Sequence, residues 1–465
     1  MTRASVQERL AEFRLELESR LGLVAFLSLA SVLSSGFVGW HLVAPALMAA
    51  FVRRRSAWIV IGVCTLIGFA LRPLPPKLDF ERKAFHGQLE VISIPTESEL
   101  GQSAMAVMSG KRYRLFLPPT MRVDLGDVIE MGGEQEAPAE TRNASRGEVA
   151  VLHPIGGVRV IRKGPSVFGW GINVRRSFVA FVEAALPPRS AATVEALCMG
   201  ADYGIDDDQW DAFKRTGTVH VLVASGLQTM IAAAALLALL SRFRGRRELR
   251  LIFVLAFLFL YCAAAGFRPP VLRAAVMATL GYLHYLFGRQ NDGLNSLGIA
   301  CAVAIGLDPW AVFDVGLWLS VTAVGGLAMQ SEFDGSLRGG FADWWKQLFQ
   351  TNLVATVSTA PLTACLLGQF SVAGLLANMI VVPVMEVVLG ASLLSWALGI
   401  FLPGVGVLLL QVAVGPVVER LLAGIEQLAH LPFSTVQFGW FSPYWLVPIY
   451  GGMVLLWRPR RLRAD

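Results

Sequence analysis

The side chains best placed to do chemistry are polar groups stranded in apolar runs. His220, Arg273, Asp314 and Glu386 are ionisable, and Ser225, Gln228, Gln369 and Asn378 are their uncharged companions. An ionisable group at membrane depth costs ~2.5–3.5 kcal/mol on insertion scales, so such groups face a bundle interior or a wet cavity. A few fixed charges among neutral hydrogen-bonding groups suit the passage of a charged solute. His220, Ser225 and Gln228 lie five and three positions apart, and a continuous helix would turn His220 about 140° from the face shared by the other two. Gly217 and Gly226 flank this stretch and predict a broken helix, which is tolerated at membrane depth only where protein or water covers the backbone. Arg273 follows Pro269-Pro270, on the first turn of a helix, where its guanidinium could meet a phosphate arriving from outside. The same residue could instead pair with Asp314 or Glu386. Asp308 and Asp314 bracket a helix start and read equally well as caps. Gln369 and Asn378 suit hydrogen bonds between helices. Trp310, Phe313 and Trp318 could stack bases, but aromatic side chains near a membrane surface more often anchor it.

Catalytic readings fail on spacing. Ala224-Ser225-Gly226 near His220 invites comparison with the G-x-S-G of intramembrane serine proteases, but Val223 occupies the first glycine position and no base stands at a favourable spacing. Gly110-Lys111 has Met105 where a phosphate-binding loop needs its first glycine. Cys64, Cys198, Cys262, Cys301 and Cys365 are scattered, and six histidines spread from His41 to His430 make no metal cluster. No catalytic group, cofactor or metal is expected.

The elements that must position these groups are membrane helices. Of 465 residues, 55% are apolar and 16% charged, with a mean hydropathy of +0.57, which excludes an ordinary soluble enzyme. Apolar runs near 22–38, 39–52, 57–71, 218–240, 251–267, 270–288, 294–307, 311–330, 349–368, 371–400, 403–425 and 443–457 predict a polytopic α-helical membrane protein of about twelve segments. Arg53–Arg55, the cluster Arg242–Arg250, Arg289, Arg338, Lys346 and Arg458–Arg463 fall on one side, against Arg268 in the short loops opposite. Both termini are therefore expected in the cytoplasm, and the polar stretch 72–217 outside it. The first twenty residues are amphipathic and carry no secretory signal with a cleavage site.

Within that stretch the apolar period changes to two. His86–Pro95, Ala104–Ser109, Tyr113–Leu117, Gly126–Gly132 and Val149–Ile161 read as short strands, which predicts a small β-rich, OB-like insert outside the membrane. Lys111, Arg112, Tyr113, Arg114 and Phe116 offer the basic and aromatic side chains that hold single strands, or else a solvated hairpin face. The expected domains are membrane helices at 1–71, the β-rich unit at 72–165, extracytoplasmic amphipathic helices at 166–217, and a transmembrane domain at 218–465.

Four segments resemble one family. Gly217–Gln228 resembles the "G-x-x-H-L-L-A-I-S-G-L-H" of the ComEC competence family, inner-membrane channels of bacterial DNA uptake. Ala265–Ala274 resembles its "A-G-F-x-P-S-V-x-R-A", Asp308–Ser320 its "D-P-x-x-L-F-D-x-G-F-Q-L-S", and Gly368–Pro383 its "G-Q-F-S…L-x-N-L…P". Gln228 replaces the family's second histidine and Pro270 its serine. The resemblance implies a bacterial inner-membrane channel for single-stranded DNA in natural transformation, without the C-terminal metallo-β-lactamase-like domain of many relatives. Implied partners are the DNA strand, membrane lipids, separate DNA-receptor, nuclease and cytoplasmic ATPase proteins, and further copies of the chain. A small-solute permease, or a membrane assembly protein that has lost DNA transport, is the rival expectation.

Overall fold

A computed structural model describes residues 20–38, 60–67 without 62 and 66, 83–118 without 94, 99 and 100, 123–136, 148–222 without 156, 165 and 203, 226–241, 247–288, 292–329, 340–431 without 372, 435–437 and 442–456. The run at 39–52 and Ser225 lie outside these residues.

The insert contains seven strands where five were expected: β1 (Lys83–Val91), β2 (Thr96–Ser98), β3 (Gly101–Met108), β4 (Lys111–Leu117), β5 (Val128–Glu136), β6 (Glu148–Pro154) and β7 (Arg159–Arg162). Five of them close a ring in the order β1-β3-β4-β6-β5 and back to β1, with β4 and β6 parallel and the other pairs antiparallel. The short β2 and β7 attach to β3 and β5. Alternation along β4 sends Tyr113, Leu115 and Leu117 inward to meet Leu89, Ile129, Met131 and Leu152. Closure needs a residue without a side chain at Gly133, whose Cβ would strike the His153 carbonyl.

The helices follow the apolar runs. They are α1 (Leu21–Val38), α2 (Ser166–Ala185), α3 (Pro188–Met199), α4 (Asp207–Arg215), α5 (Val219–Leu222), α6 (Gly226–Ser241), α7 (Arg247–Ala264), α8 (Pro269–Leu286), α9 (Gly293–Leu307), α10 (Val315–Met329), α11 (Phe341–Leu367), α12 (Gly374–Phe401), α13 (Pro403–Ala429) and α14 (Leu446–Leu456). A 3-10 turn, Pro309–Phe313, leads into α10, and α13 contains a π turn at Leu410–Val414. Among the described residues two helices, α12 and α13, are long and apolar enough to cross a membrane, with 28 and 27 residues. The apolar stretches Leu249–Ala264, Gly293–Leu307 and Val315–Leu327 are shorter.

Three apolar cores organise the helices. One joins α2, α3, α4 and α5 to α12 and α13, a second joins α1 and α9 to the start of α10, and a third joins α6, α7 and α8. The amphipathic helices expected at 166–217 thus bury apolar faces against the membrane-type helices. Acidic caps set the starts. Asp206 accepts from the Gln209 amide at the head of α4, and Asp292 accepts from Leu294 and Asn295 at the head of α9 while holding Arg20 at 2.7 Å.

Candidate functional site

The first motif spans α5 and the start of α6. Gly217 takes φ +68° just before α5. Gln228 is buried, and its Nε2 donates to the Val221 carbonyl at 3.0 Å, which ties α6 back to α5. On α5, Val221 and Leu222 are buried and His220 is exposed.

The second and fourth motifs touch the first, and the third is tied to the second. A Cβ on Gly226 would fall 3.3 Å from the Ala274 Cβ, so the start of α6 lies directly on the second motif. Arg273 is 3% exposed, on the second turn of α8 and not the first. Its Nη2 donates to the Gly316 carbonyl at 3.1 Å and to Ser320 Oγ at 2.8 Å, which ties the second motif to the third. Among the described residues Nη1 meets no acceptor, and no ion pair joins Arg273 to Asp314 or Glu386. Asp314 accepts from the Gly316 amide at 3.0 Å and Asp308 from the Trp310 amide at 3.0 Å, so both act as caps.

Gln369 and Ser371 lie on β8 (Gln369–Ser371), which pairs antiparallel with β9 (Thr435–Gln437). Ser371 Oγ donates to the Arg215 carbonyl at 2.8 Å and accepts from the Gly374 amide, and a Cβ on Gly217 would lie 2.8 Å from Ser371 Cβ. The fourth motif thereby braces the first. Asn378 is buried on α12 with Oδ1 unpartnered among the described residues. Glu386, half-buried on the same helix, joins none of these contacts. The structure brings together His220, Gly226, Gln228, Arg273, Asp314 and the Gln369–Ser371 strand.

The basic hairpin of the barrel is rearranged relative to expectation. Tyr113 is 6% exposed because it points into the barrel core, so it cannot offer a stacking face. Arg112 is engaged by the Asp308 carboxylate through both guanidinium nitrogens, at 2.7 and 3.1 Å. Lys111 is exposed at the turn, Arg114 is half-buried on the outer face, and Phe116 stacks on His153 with centroids 5.5 Å apart and planes 6° apart.

Three groups escaped sequence reasoning. Arg175 is buried, and its Nη1 donates to the last carbonyls of α3 and α7, Met199 at 3.1 Å and Ala264 at 3.4 Å. Its neighbour Arg176 turns the other way, to Asp124 of the barrel at 2.7 Å. Glu195 is 2% exposed on α3, and burial, reinforced by Glu183 and opposed by Arg175, raises its carboxyl to about 7. Consecutive arginines in an otherwise amphipathic helix were the available signal for the first two; nothing in the spacing marked Glu195.

Residues 197–463 match the family described as Competence protein. The chain belongs to this family. It is a membrane-associated family. The chain is 28% identical over 313 residues to ComE operon protein 3 of Bacillus subtilis, covering 66% of this chain and 39% of that protein. It is 30% identical over 234 residues to Competence protein ComA of Neisseria gonorrhoeae, covering 47% of this chain and 32% of that protein. With Recombination protein 2 of Haemophilus influenzae it shares 24% over 209 residues, covering 41% of this chain and 26% of that protein. The matches thus span well under half the length of these relatives. No solved structure matches the chain.

Proposed function

We propose that the chain is an inner-membrane channel subunit that passes single-stranded DNA into the cytoplasm during natural transformation. The observation that supports this reading is the packing of the four family motifs on one another: Gly226 on Ala274, Arg273 on Gly316 and Ser320, and Gly217 on Ser371, with Gln228 tying α6 to the Val221 carbonyl. Each nucleotide brings about one negative charge into a low-dielectric slab, and neutral polar groups along a wet path lower this barrier without trapping the strand. In this reading the chain transports without catalysing a reaction, and the driving force comes from a partner or a gradient.

In this reading about twelve segments lie in the membrane with both termini cytoplasmic, and the barrel, with its parallel β4–β6 pair, is an OB-like unit outside. Separate DNA-receptor, nuclease and ATPase proteins act with it. A deletion strain should lose transformation and regain it with the intact gene. Reporter fusions after Gly110 and after Arg461 should report opposite faces. The rival, a small-solute permease or assembly protein, draws on the engagement of Arg273 by Gly316 and Ser320. A deletion strain that still takes up DNA would select it.

A further inference from the structure

The turn between α12 and α13 carries no polar side chain. Ile400, Phe401, Leu402, Val405 and Leu408 are all more than half exposed there, around Pro403-Gly404, and no charge occurs between Glu386 and Glu419. A loop returning through cytoplasmic water would have no reason to expose only apolar groups. Much of the turn's backbone is bonded within it: the Leu402 amide donates to the Leu398 carbonyl, the Val405 and Gly406 amides both donate to the Leu402 carbonyl, and Pro403 has no amide hydrogen. Such internal bonding lowers the cost of placing a turn in hydrocarbon. The two arms close tightly at the tip, where a Cβ on Gly406 would fall 2.6 Å from the Ser395 carbonyl oxygen and from the Gly399 Cα.

The charges on α13 set the depth of the tip. Glu419 and Arg420 are exposed on α13, roughly 24 Å along the helix from Pro403. Were the tip at the cytoplasmic surface, both would face acyl chains inside a ~30 Å slab. Leu376 and Ile380, exposed near the start of α12, fit an oblique helix that stays in the outer leaflet.

We infer that α12 and α13 form a re-entrant hairpin that enters and leaves the membrane from the outer face, its tip ending among acyl chains. The inference rests on the orientation given under the proposed function, and it leaves the sidedness of the C-terminus unchanged, since a re-entrant pair and two full crossings have the same parity. The test is a cysteine at the tip, Gly404→Cys, or Val405→Cys if the first variant is poorly made, in the otherwise native chain. A membrane-impermeant maleimide is applied to intact spheroplasts and to inverted vesicles, with Gly110→Cys and Arg461→Cys as outer and inner references. The expected result is labelling at the native background from both faces, full labelling after detergent, and a nitroxide at the tip that collides with oxygen and not with a water-soluble nickel chelate. Labelling in inverted vesicles would show two full crossings, and labelling in spheroplasts a hairpin in water; either overturns the inference. If the two reference positions report the wrong faces, the orientation has failed independently of the hairpin.

Discussion

The four-motif junction and the seat of the barrel join their parts by opposite means. At the junction, half-buried glycines touch neighbouring elements, and one buried arginine is held by a carbonyl and a hydroxyl with no carboxylate in ion-pair contact among the described residues. At the seat, Arg112–Asp308 and Arg176–Asp124 are half-exposed ion pairs, and among the described residues no apolar cluster spans barrel and helices. Exposed pairs contribute ~0–1 kcal/mol each and weaken with salt, whereas stripping partners from buried polar groups costs ~1–3 kcal/mol apiece. The junction is thus built to keep one shape, and the barrel is built to sit on the helices without being fused to them.

The largest effect should come from Arg273. Replacing it with Ala removes the charged donor shared by the Gly316 carbonyl and Ser320 Oγ, which stay bonded to each other, at a cost of about 1.5–3 kcal/mol. Transformation should be abolished while the chain still inserts; Lys should restore part of it, since a point charge reaches one acceptor but lacks the planar fork. Transformant counts beside membrane-fraction immunoblots decide this. An Ala variant with normal uptake would mean that the junction does not need its rigid tie.

Glu195, buried on α3 and within reach of the Arg175 charge, should come next. Its folded carboxyl sits at about 7 against an ordinary 4.5, so the folded chain retains a proton that the unfolded chain releases between these values. Stability is therefore greatest below pH 4.5, falls as pH rises through that window, and stays low above pH 7. Glu195→Gln is neutral at every pH and should flatten the profile, with a gain above pH 7 of at most about 3 kcal/mol. Melting temperatures in detergent across the window measure it, and parallel profiles for the two proteins would refute it.

The sequence showed the junction's ingredients but not its wiring. Helix positions were legible because apolar runs of that length have few alternatives, and the caps Asp308 and Asp314 followed from residue type before a helical start. The partner of Arg273 was not legible. A guanidinium accepts carbonyl, hydroxyl or carboxylate oxygen alike, and Gly316 and Ser320 are far from it in sequence. Tyr113 was misread because a strand's alternation fixes which residues share a face and leaves open which face is buried. Gln228 shows a middle case: its departure from the family motif suggested a hydrogen-bonding role, and the structure supplies the acceptor, Val221.

Gln228 gives the next smaller effect and tests the junction without altering charge. Gln228→Leu removes the buried donor to the Val221 carbonyl, which costs about 1 kcal/mol. Uptake should fall several-fold. Gln228→His can still donate through a ring nitrogen and should be nearly neutral. A native protein that is inactive and gains uptake only with His would instead make this position a titrating or ligating one.

The smallest effect belongs to the barrel seat. Asp308 Oδ1 accepts from both Arg112 Nη2 and the Trp310 amide, so the two halves of the contact are unequal. Arg112→Ala removes only a half-exposed ion pair, worth under about 1 kcal/mol, and the cap survives. Asp308→Ala removes the ion pair and the cap together, and caps contribute typically about 1 kcal/mol. Amide exchange at Trp310 should therefore rise little in Arg112→Ala and clearly in Asp308→Ala. High salt should reproduce the first change in the native protein and add almost nothing to the Arg112 variant, because screening and mutation remove the same attraction. If Arg112→Ala were instead as damaging as Arg273→Ala and insensitive to salt, the barrel would be fixed as firmly as the junction, and the contrast between the two joints would collapse.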